Sequence, residues 1–180
     1  KEKPTTEYFD SSEQALHAHI ESLTPHAYYL RVAGRSRDGQ TLVIRNSGPN
    51  DPGTHYLLHE GTLQLIGAER PWLDSDNLAN VHYVTYAARD GEVIPAFVTV
   101  PEGNPPFPMV VMPHGGPFVR AIVIFDEWAQ MLANKGFLVL QPQYRGSKGY
   151  GQRFYQIAFS KGGQGGYKMQ DDKDDGVAWA

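Results

Sequence analysis

The hydrophobic positions follow one spacing in the first half of the chain and another in the second half. Between residues 27 and 66, short apolar runs alternate with turn-forming sequences such as Arg37-Asp38-Gly39 and Asn50-Asp51-Pro52-Gly53. Asp-Gly and Pro-Gly sequences between β-branched and aromatic runs are typical of hairpins. The pattern predicts four consecutive antiparallel strands, which fit one blade of a β-propeller: 27–33, 41–45, 55–59 and 62–66.

A short helix is predicted ahead of these strands. Ser11 or Ser12 can cap its first turn. Leu16, Ile20 and Leu23 recur at the spacing of one helical face, so we expect the helix to continue to residue 23.

The second half, from residue 81, begins with another hairpin and continues with an α/β pattern. The runs 81–88 and 93–100 flank Arg89-Asp90-Gly91, a further Asp-Gly turn. The shorter runs 109–112 and 137–140 contain apolar residues only, which is typical of strands buried on both faces.

A helix is predicted between these two apolar strands, at 125–134. Trp128, Met131 and Leu132 are its expected apolar anchors, and Gly136 is its expected end. Strand, helix and strand in this order predict a parallel pair joined by a right-handed crossover. Further helices are predicted at 153–159 and 171–180.

Composition narrows the function classes. The chain has 180 residues, a net charge of −4, a pI of about 6.0 and no cysteine. The acidic balance gives no indication of binding to nucleic acid or to an anionic membrane. Without cysteine the chain has no disulfide, thiolate metal site or cysteine nucleophile. Without an apolar run of about 18 residues, we expect a soluble protein, in the cytoplasm or the periplasm.

One motif follows the predicted strand 109–112 directly: Pro113-His114-Gly115-Gly116-Pro117. Paired glycines let backbone N–H groups approach a ligand without obstruction by Cβ. In α/β-hydrolases the loop at this position supplies one N–H group of the oxyanion hole. A plain glycine turn is the alternative, but the flanking strand and crossover favour Gly116, supported by Gly115, as oxyanion donors. We expect His114 to brace the loop by hydrogen bonds rather than to act as a base.

A second group of polar residues follows the other apolar strand. Tyr144, Arg145 and Tyr150 come after 137–140, at the end of a parallel strand where open α/β sheets place their sites. Arg145 can orient the oxyanion loop or pair with an acidic residue in a part of the protein outside this chain. Structural bracing is the favoured role for Arg145 and Tyr144.

Three segments resemble metal-binding or phosphate-binding motifs, but each lacks residues that the motif requires. His59-Glu60 lacks the second histidine of a zincin helix, and Gly61 interrupts the helix. The acidic run 171–175 contains Lys173 at a calcium-ligand position, so an acidic helix N-terminus explains it better. The glycines within 162–166 do not match a phosphate-binding loop. We therefore expect no cofactor and no metal.

Five strings occur in the order in which they are found in the prolyl oligopeptidase family, and the chain resembles the acylaminoacyl-peptidase and dipeptidyl-peptidase branch of that family. The segment 50–58 is also similar to the last propeller segment ahead of the family's hydrolase domain. The resemblance covers nearly the whole chain. The strings are Tyr86-Ala87-Ala88-Arg89-Asp90-Gly91, the segment 109–117, Leu132-Ala133-Asn134-Lys135-Gly136-Phe137, Gln141-Pro142-Gln143-Tyr144-Arg145-Gly146-Ser147 and Lys168-Met169-Gln170-Asp171-Asp172.

The resemblance implies an α/β-hydrolase domain preceded by an antiparallel β-propeller blade. The expected segments are the last part of a β-propeller domain at 1–70, a linker at 71–80 and the N-terminal part of an α/β-hydrolase domain at 81–180. A sheet interrupted in this domain exposes an apolar edge strand. We therefore expect an internal fragment whose sheet continues in residues outside the chain.

The implied activity is that of a serine peptidase acting on short peptides, as an aminopeptidase, dipeptidyl-peptidase or acylaminoacyl-peptidase. This chain would supply the oxyanion-hole loop but not the Ser-Asp-His triad, because neither Ser147 nor Ser160 lies in a Gly-x-Ser-x-Gly elbow. The 180-residue chain is therefore expected to be inactive alone. Its expected partners are a peptide substrate and the rest of the parent polypeptide, and a homo-oligomer is compatible with the sequence.

Two other functions remain open at this point. A non-catalytic interaction module would share the fold without the chemistry. An esterase or lipase would share the loop, but such enzymes lack a preceding blade and usually carry a third glycine at the position of Pro117. A Gly-x-Ser-x-Gly string downstream of Ala180 would favour the peptidase over the module.

Overall fold

The computed structural model describes residues 3–159 and 164–180, so that Ser160, Gly162 and Gly163 lie outside the described residues. The chain forms two compact units. One contains residues 3–78 and 123–126, and the other contains residues 79–122 and the described part of 127–180.

The first unit contains one α-helix, a short 3₁₀ helix (Ser75–Asn77) and a four-stranded antiparallel meander. Its strands follow the chain order β1-β2-β3-β4 in the sheet, as the turn sequences predicted. Ile20, Leu42, Ile44 and Leu58 form its buried core. The elements are α1 (Ser11–Leu23), β1 (Tyr29–Arg35), β2 (Thr41–Gly48), β3 (Asp51–His59) and β4 (Thr62–Ala68).

Two local features of this unit differ from the prediction. Asp10, rather than Ser11 or Ser12, caps α1, because its carboxylate accepts the N–H groups of the first turn. The turn before β3 lies at 49–50, and Asp51 already pairs with Gly48. The Asp51 carboxylate accepts the Gly53 N–H at 2.9 Å, which stabilises the start of the strand.

The second unit is a mixed sheet with three helices. The strand order is β5-β6-β8-β7; β5, β6 and β8 are antiparallel neighbours, whereas β7 and β8 are parallel. The predicted hairpin and the predicted parallel crossover are therefore both present. The elements are β5 (Asn80–Ala87), β6 (Val93–Val100), β7 (Met109–Val111), α2 (Glu127–Asn134), β8 (Leu138–Pro142), α3 (Gln152–Gln156) and α4 (Tyr167–Trp179).

The core of this unit lies around β6 and β8, and β7 is only half-buried. The expectation that both apolar runs are buried on both faces is thus wrong for β7. Among the described residues, β7 pairs with β8 on one side and with no strand on the other, so one edge of this short apolar strand is unpaired.

Of the three apolar residues predicted to anchor helix α2, only Leu132 is partly buried. Trp128 and Met131 are 63% and 48% exposed, whereas Ala129, Gln130 and Ala133 are buried. Small alanines allow a close approach of α2 to the sheet. The Gln130 amide is satisfied in this buried position because it both donates to and accepts from the backbone of Ala79.

Helix α4 begins at Tyr167, four residues before the predicted start. The acidic run 171–175 therefore lies in the middle of the helix, and its interpretation as an acidic N-terminus is wrong. Asp172 is fully buried, and its role is in the candidate site. Within the described residues, no helix is long and apolar enough to cross a membrane.

Candidate active site

Two loops meet at the carboxyl ends of the parallel strands β7 and β8. The first, residues 112–121, follows β7 and contains the His-Gly-Gly motif; the second, residues 143–148, follows β8. Parallel strands end at the same edge of a sheet, which is where open α/β sheets place their ligand sites. We call these segments the glycine loop and the arginine turn.

The two glycines of the glycine loop are exposed. Gly116 has φ +121°, a conformation that L side chains rarely adopt, and an added Cβ would lie 2.9 Å from Val119 Cγ2. Among the described residues, the Gly115 and Gly116 N–H groups donate no hydrogen bond. Both groups are therefore available for a ligand that carries negative charge.

His114 is held against the arginine turn by side chains on two sides. The Tyr144 hydroxyl donates to the His114 carbonyl oxygen at 2.7 Å, and the two rings stack with centroids 4.5 Å apart. The Ser147 hydroxyl oxygen lies 2.8 Å from His114 Nε2. The ring's other nitrogen, Nδ1, lies 2.9 Å from the carbonyl oxygen of Gly115.

The electrostatic surroundings of His114 favour the neutral ring at neutral pH. Burial lowers the pKa of the imidazole, the hydrogen bond with the Gly115 carbonyl opposes that shift, and the positive charge of Lys173 lowers the pKa further. Lys173 lies over the Tyr144 ring with its Nζ 4.5 Å from the centroid. The Lys173 ammonium of helix α4, the Tyr144 ring and the His114 ring are thus stacked in that order.

The arginine turn also holds the backbone of the glycine loop after Gly116 by hydrogen bonds. Gln143 is fully buried, and its amide accepts the Ala121 N–H at 3.1 Å and donates to the Ala121 carbonyl at 2.9 Å. The Lys148 N–H donates to the Val119 carbonyl at 2.9 Å. The glycine loop is therefore anchored on both sides of Gly116.

Arg145 anchors the arginine turn itself. Its side chain is 1% exposed and donates to the Asp172 carboxylate, with Nη2 2.6 Å from Oδ1, and to Asp90 at 2.9 Å. Nη1 also donates to Gln164 Oε1 at 2.9 Å. Both acidic partners belong to this chain, so the buried guanidinium is paired without an acidic residue from elsewhere.

The pKa values of this network reflect the pairing. Burial opposes the charge of Arg145, but the hydrogen bonds that it donates to Asp172 and Asp90 outweigh this effect and raise the arginine pKa. Hydrogen bonds from Arg145 and Lys168 hold the pKa of Asp90 well below its usual range. Burial raises the pKa of Asp172, and the bonds from Arg145 oppose that shift.

We expect Asp90→Asn to make the free energy of unfolding depend less on pH in the acidic range. Since the folded-state pKa of Asp90 is depressed, its ionised form stabilises the fold above about pH 4, the unfolded value, and this stabilisation is lost as the pH falls. Urea unfolding from pH 2 to pH 7 measures the effect. The exposed Asp76→Asn is the control, and equal profiles for the two variants would contradict this role of Asp90.

Sequence reasoning assigned no role in the site to four residues: Asp90, Gln143, Ser147 and Asp172. Each lies inside one of the sequence strings that resemble the prolyl oligopeptidase family, and this membership could have marked them as candidate site residues. Their function was not visible because it depends on contacts between distant segments; Arg145 and Asp90, for example, are separated by 55 positions.

No group of three or more histidine or acidic residues in the described part of the chain could hold a metal ion. The site is thus a set of exposed backbone donors supported by buried polar side chains. Such an arrangement can stabilise an oxyanion.

Comparison with known proteins places this geometry in a family. A profile of the prolyl oligopeptidase family matches residues 124–172. Dipeptidyl aminopeptidase BIII of Pseudoxanthomonas mexicana is 31% identical over 162 residues, which cover 84% of this chain and 23% of that protein. Human acylamino-acid-releasing enzyme is 33% identical over 137 residues, which cover 64% of this chain and 18% of that enzyme.

Solved structures agree in fold. The acylaminoacyl peptidase of Pyrococcus horikoshii matches with a TM-score of 0.62 at 20% identity, over 82% of this chain and 24% of that chain. The chain belongs to the prolyl oligopeptidase family. It spans less than a quarter of the length of either relative. Its described residues form one antiparallel and one mixed sheet.

Proposed function

We propose that this chain is the part of a serine peptidase that binds the oxyanion of the tetrahedral intermediate. The observation that carries the proposal is that the exposed Gly115 and Gly116 donate no backbone hydrogen bond within the part of the chain that the structure describes. Attack on a peptide carbonyl places negative charge on its oxygen, and a fixed N–H donor stabilises that charge without reorganisation.

The position of the loop in the sheet supports the assignment. In α/β-hydrolases one oxyanion donor comes from the loop between the third strand and the helix that follows it. β7 is the third strand of its sheet in chain order, and α2 follows it. The glycine loop lies between them, and this position supports Gly116 as that donor, with Gly115 beside it.

In the proposed mechanism, the triad comes from the remaining part of a protein of the relatives' length. Its serine attacks the carbonyl carbon, its histidine takes the serine proton and returns it to the leaving amine, and its aspartate orients that histidine. The backbone of the glycine loop binds the oxyanion. His114, Tyr144 and Arg145 hold the loop in place and take no proton from the substrate.

The proposed domain organisation follows the same relatives. Residues 1–70 form the last part of a β-propeller domain, residues 71–80 a linker and residues 81–180 the first part of a hydrolase domain. The four-stranded meander and the mixed sheet support this division. The proposed substrates are short peptides cleaved near the N-terminus, because the relatives are named for the release of dipeptides or acylated amino acids.

A comparison of two protein lengths tests the proposal. The full-length natural protein is expected to hydrolyse a dipeptidyl or acylaminoacyl p-nitroanilide, and a serine-directed phosphonate should abolish this turnover. The purified 180-residue chain is expected to show neither turnover nor labelling. Phosphonate-sensitive hydrolysis by the short chain, or none by the full-length protein, would contradict the proposal.

A further inference from the structure

We infer that Ser147 is a positioning residue whose hydroxyl keeps the ring proton of His114 on Nδ1, so that the ring holds the Gly115–Gly116 peptide in place. The catalytic consequence rests on the proposed function, whereas the structural part rests on contacts within this chain. Ser147 is fully buried, does not lie in a nucleophile elbow and has its hydroxyl oxygen 2.8 Å from His114 Nε2.

The contact of His114 with Gly115 controls the direction of the proposed oxyanion donor. Nδ1 lies 2.9 Å from the Gly115 carbonyl oxygen. That carbonyl and the Gly116 N–H belong to one planar peptide group, in which they point in opposite directions. A hydrogen bond to the oxygen therefore fixes where the N–H group points. This bond requires a proton on Nδ1.

Ser147 selects the ring form that provides this proton. A neutral imidazole carries one N–H, and the other nitrogen must accept a hydrogen bond. When the Ser147 hydroxyl donates to Nε2, the ring proton resides on Nδ1 and is donated to Gly115. The hydroxyl's other acceptor is the Tyr144 carbonyl, at 2.6 Å. Because the hydroxyl has one proton, it must turn away from this carbonyl to donate to Nε2. The carbonyl then keeps the Ser147 N–H as its donor, at 3.0 Å.

The same hydroxyl also serves the protonated ring. An imidazolium donates from both nitrogens, so Nε2–H donates to Ser147 Oγ and the hydroxyl donates to the Tyr144 carbonyl. Nδ1–H still donates to Gly115. A hydroxyl can act as donor and acceptor in turn, and Ser147 therefore keeps the peptide of Gly115 and Gly116 fixed in either charge state of His114.

Histidine-ring NMR tests the inference without reference to activity. The full-length protein labelled with 15N-histidine is compared at neutral pH with Ser147→Ala and with Thr99→Val. Thr99→Val is a matched control, because the Thr99 hydroxyl is fully buried in the same unit and has no hydrogen-bond partner in the described structure. We expect a protonated Nδ1 in the wild type and the control, and a shift of the proton to Nε2 in Ser147→Ala.

Either of two results would overturn the inference: a bare Nδ1 in the wild type, or an unchanged ring in Ser147→Ala. The wild-type measurement needs no variant, so it tests the inference even if Ser147→Ala fails to fold. A wild-type protein without peptidase activity would instead contradict the proposed function and leave the NMR result to decide the inference.

Kinetics then distinguish positioning from stability. Ser147→Ala is expected to lower kcat about tenfold, which is less than the ~10²-fold loss when an oxyanion donor is removed. KM should change little, because binding of the ground-state substrate does not depend on the donor. In a His114→Ala background, Ser147→Ala should cause no further loss of kcat. A further tenfold loss there would show that Ser147 acts independently of His114 and contradict the inference.

Discussion

Replacing Gly116 with alanine in the full-length protein is expected to lower kcat by roughly 10²- to 10³-fold, the loss seen when an oxyanion-hole donor is removed. The new Cβ would lie 2.9 Å from Val119 Cγ2 and 3.1 Å from the Phe118 nitrogen. An alanine at φ +121° is also strained, so the loop must shift and misdirect its N–H group. KM is expected to change little, because the donor acts on charge that develops in the transition state.

Gly136→Ala is the matched control for this variant. Gly136 has φ +85° after α2, and an added Cβ would meet no atom within 4 Å. It carries the same kind of backbone strain without displacing the glycine loop. Wild-type kcat in Gly116→Ala, in a folded protein, would show that the Gly116 N–H is not the donor.

Replacing Arg145 with methionine is expected to reduce the free energy of unfolding by roughly 3–5 kcal/mol, the cost of breaking a buried ion pair from one side. Asp172 is fully buried and would lose the guanidinium, which donates to it at 2.6 Å. The partly buried Asp90 would lose its bond from Arg145 as well. Urea unfolding of the full-length protein measures the change.

Arg153→Met separates the buried pair from an ordinary surface pair. The Arg153 side chain is 71% exposed and pairs with Glu92, so its loss should reduce the free energy of unfolding only slightly. Equal costs for Arg145→Met and Arg153→Met would contradict the role assigned to the buried network.

The sequence predicted those parts of the fold that depend on local signals. Asp-Gly turns and short apolar runs predicted the antiparallel meander β1–β4, the hairpin β5–β6 and the crossover β7-α2-β8, because these signals act over a few residues. The glycine loop was found in the same way. The structure places it directly after β7, with its glycine N–H groups exposed and unbonded among the described residues.

Features that depend on sheet order were not accessible in this way. Apolar content alone makes 109–112 and 137–140 look alike, but β8 lies inside the sheet and β7 at its edge. Hydrophobicity likewise favoured Trp128 over Ala129 as the buried side of α2. The close approach of the helix to the sheet selects the small residue instead.

The supporting contacts of the site were least predictable. Ser147 and His114 are 33 positions apart, and Arg145 and Asp172 are 27 positions apart. The sequence around a hydroxyl or carboxylate does not indicate which distant residue will be its hydrogen-bond partner. Only the parallel pairing of β7 and β8 and the packing of α4 bring these groups within hydrogen-bond distance.

The structure of the full-length protein with a peptide boronate bound to its catalytic serine tests the central claim most directly. The boronate oxygen stands for the oxyanion of the intermediate. We predict that it lies about 2.7–3.1 Å from the Gly116 nitrogen, within the range of an oxyanion donor. A Gly116 N–H bonded within the protein, with the boronate oxygen out of its reach, would contradict the account.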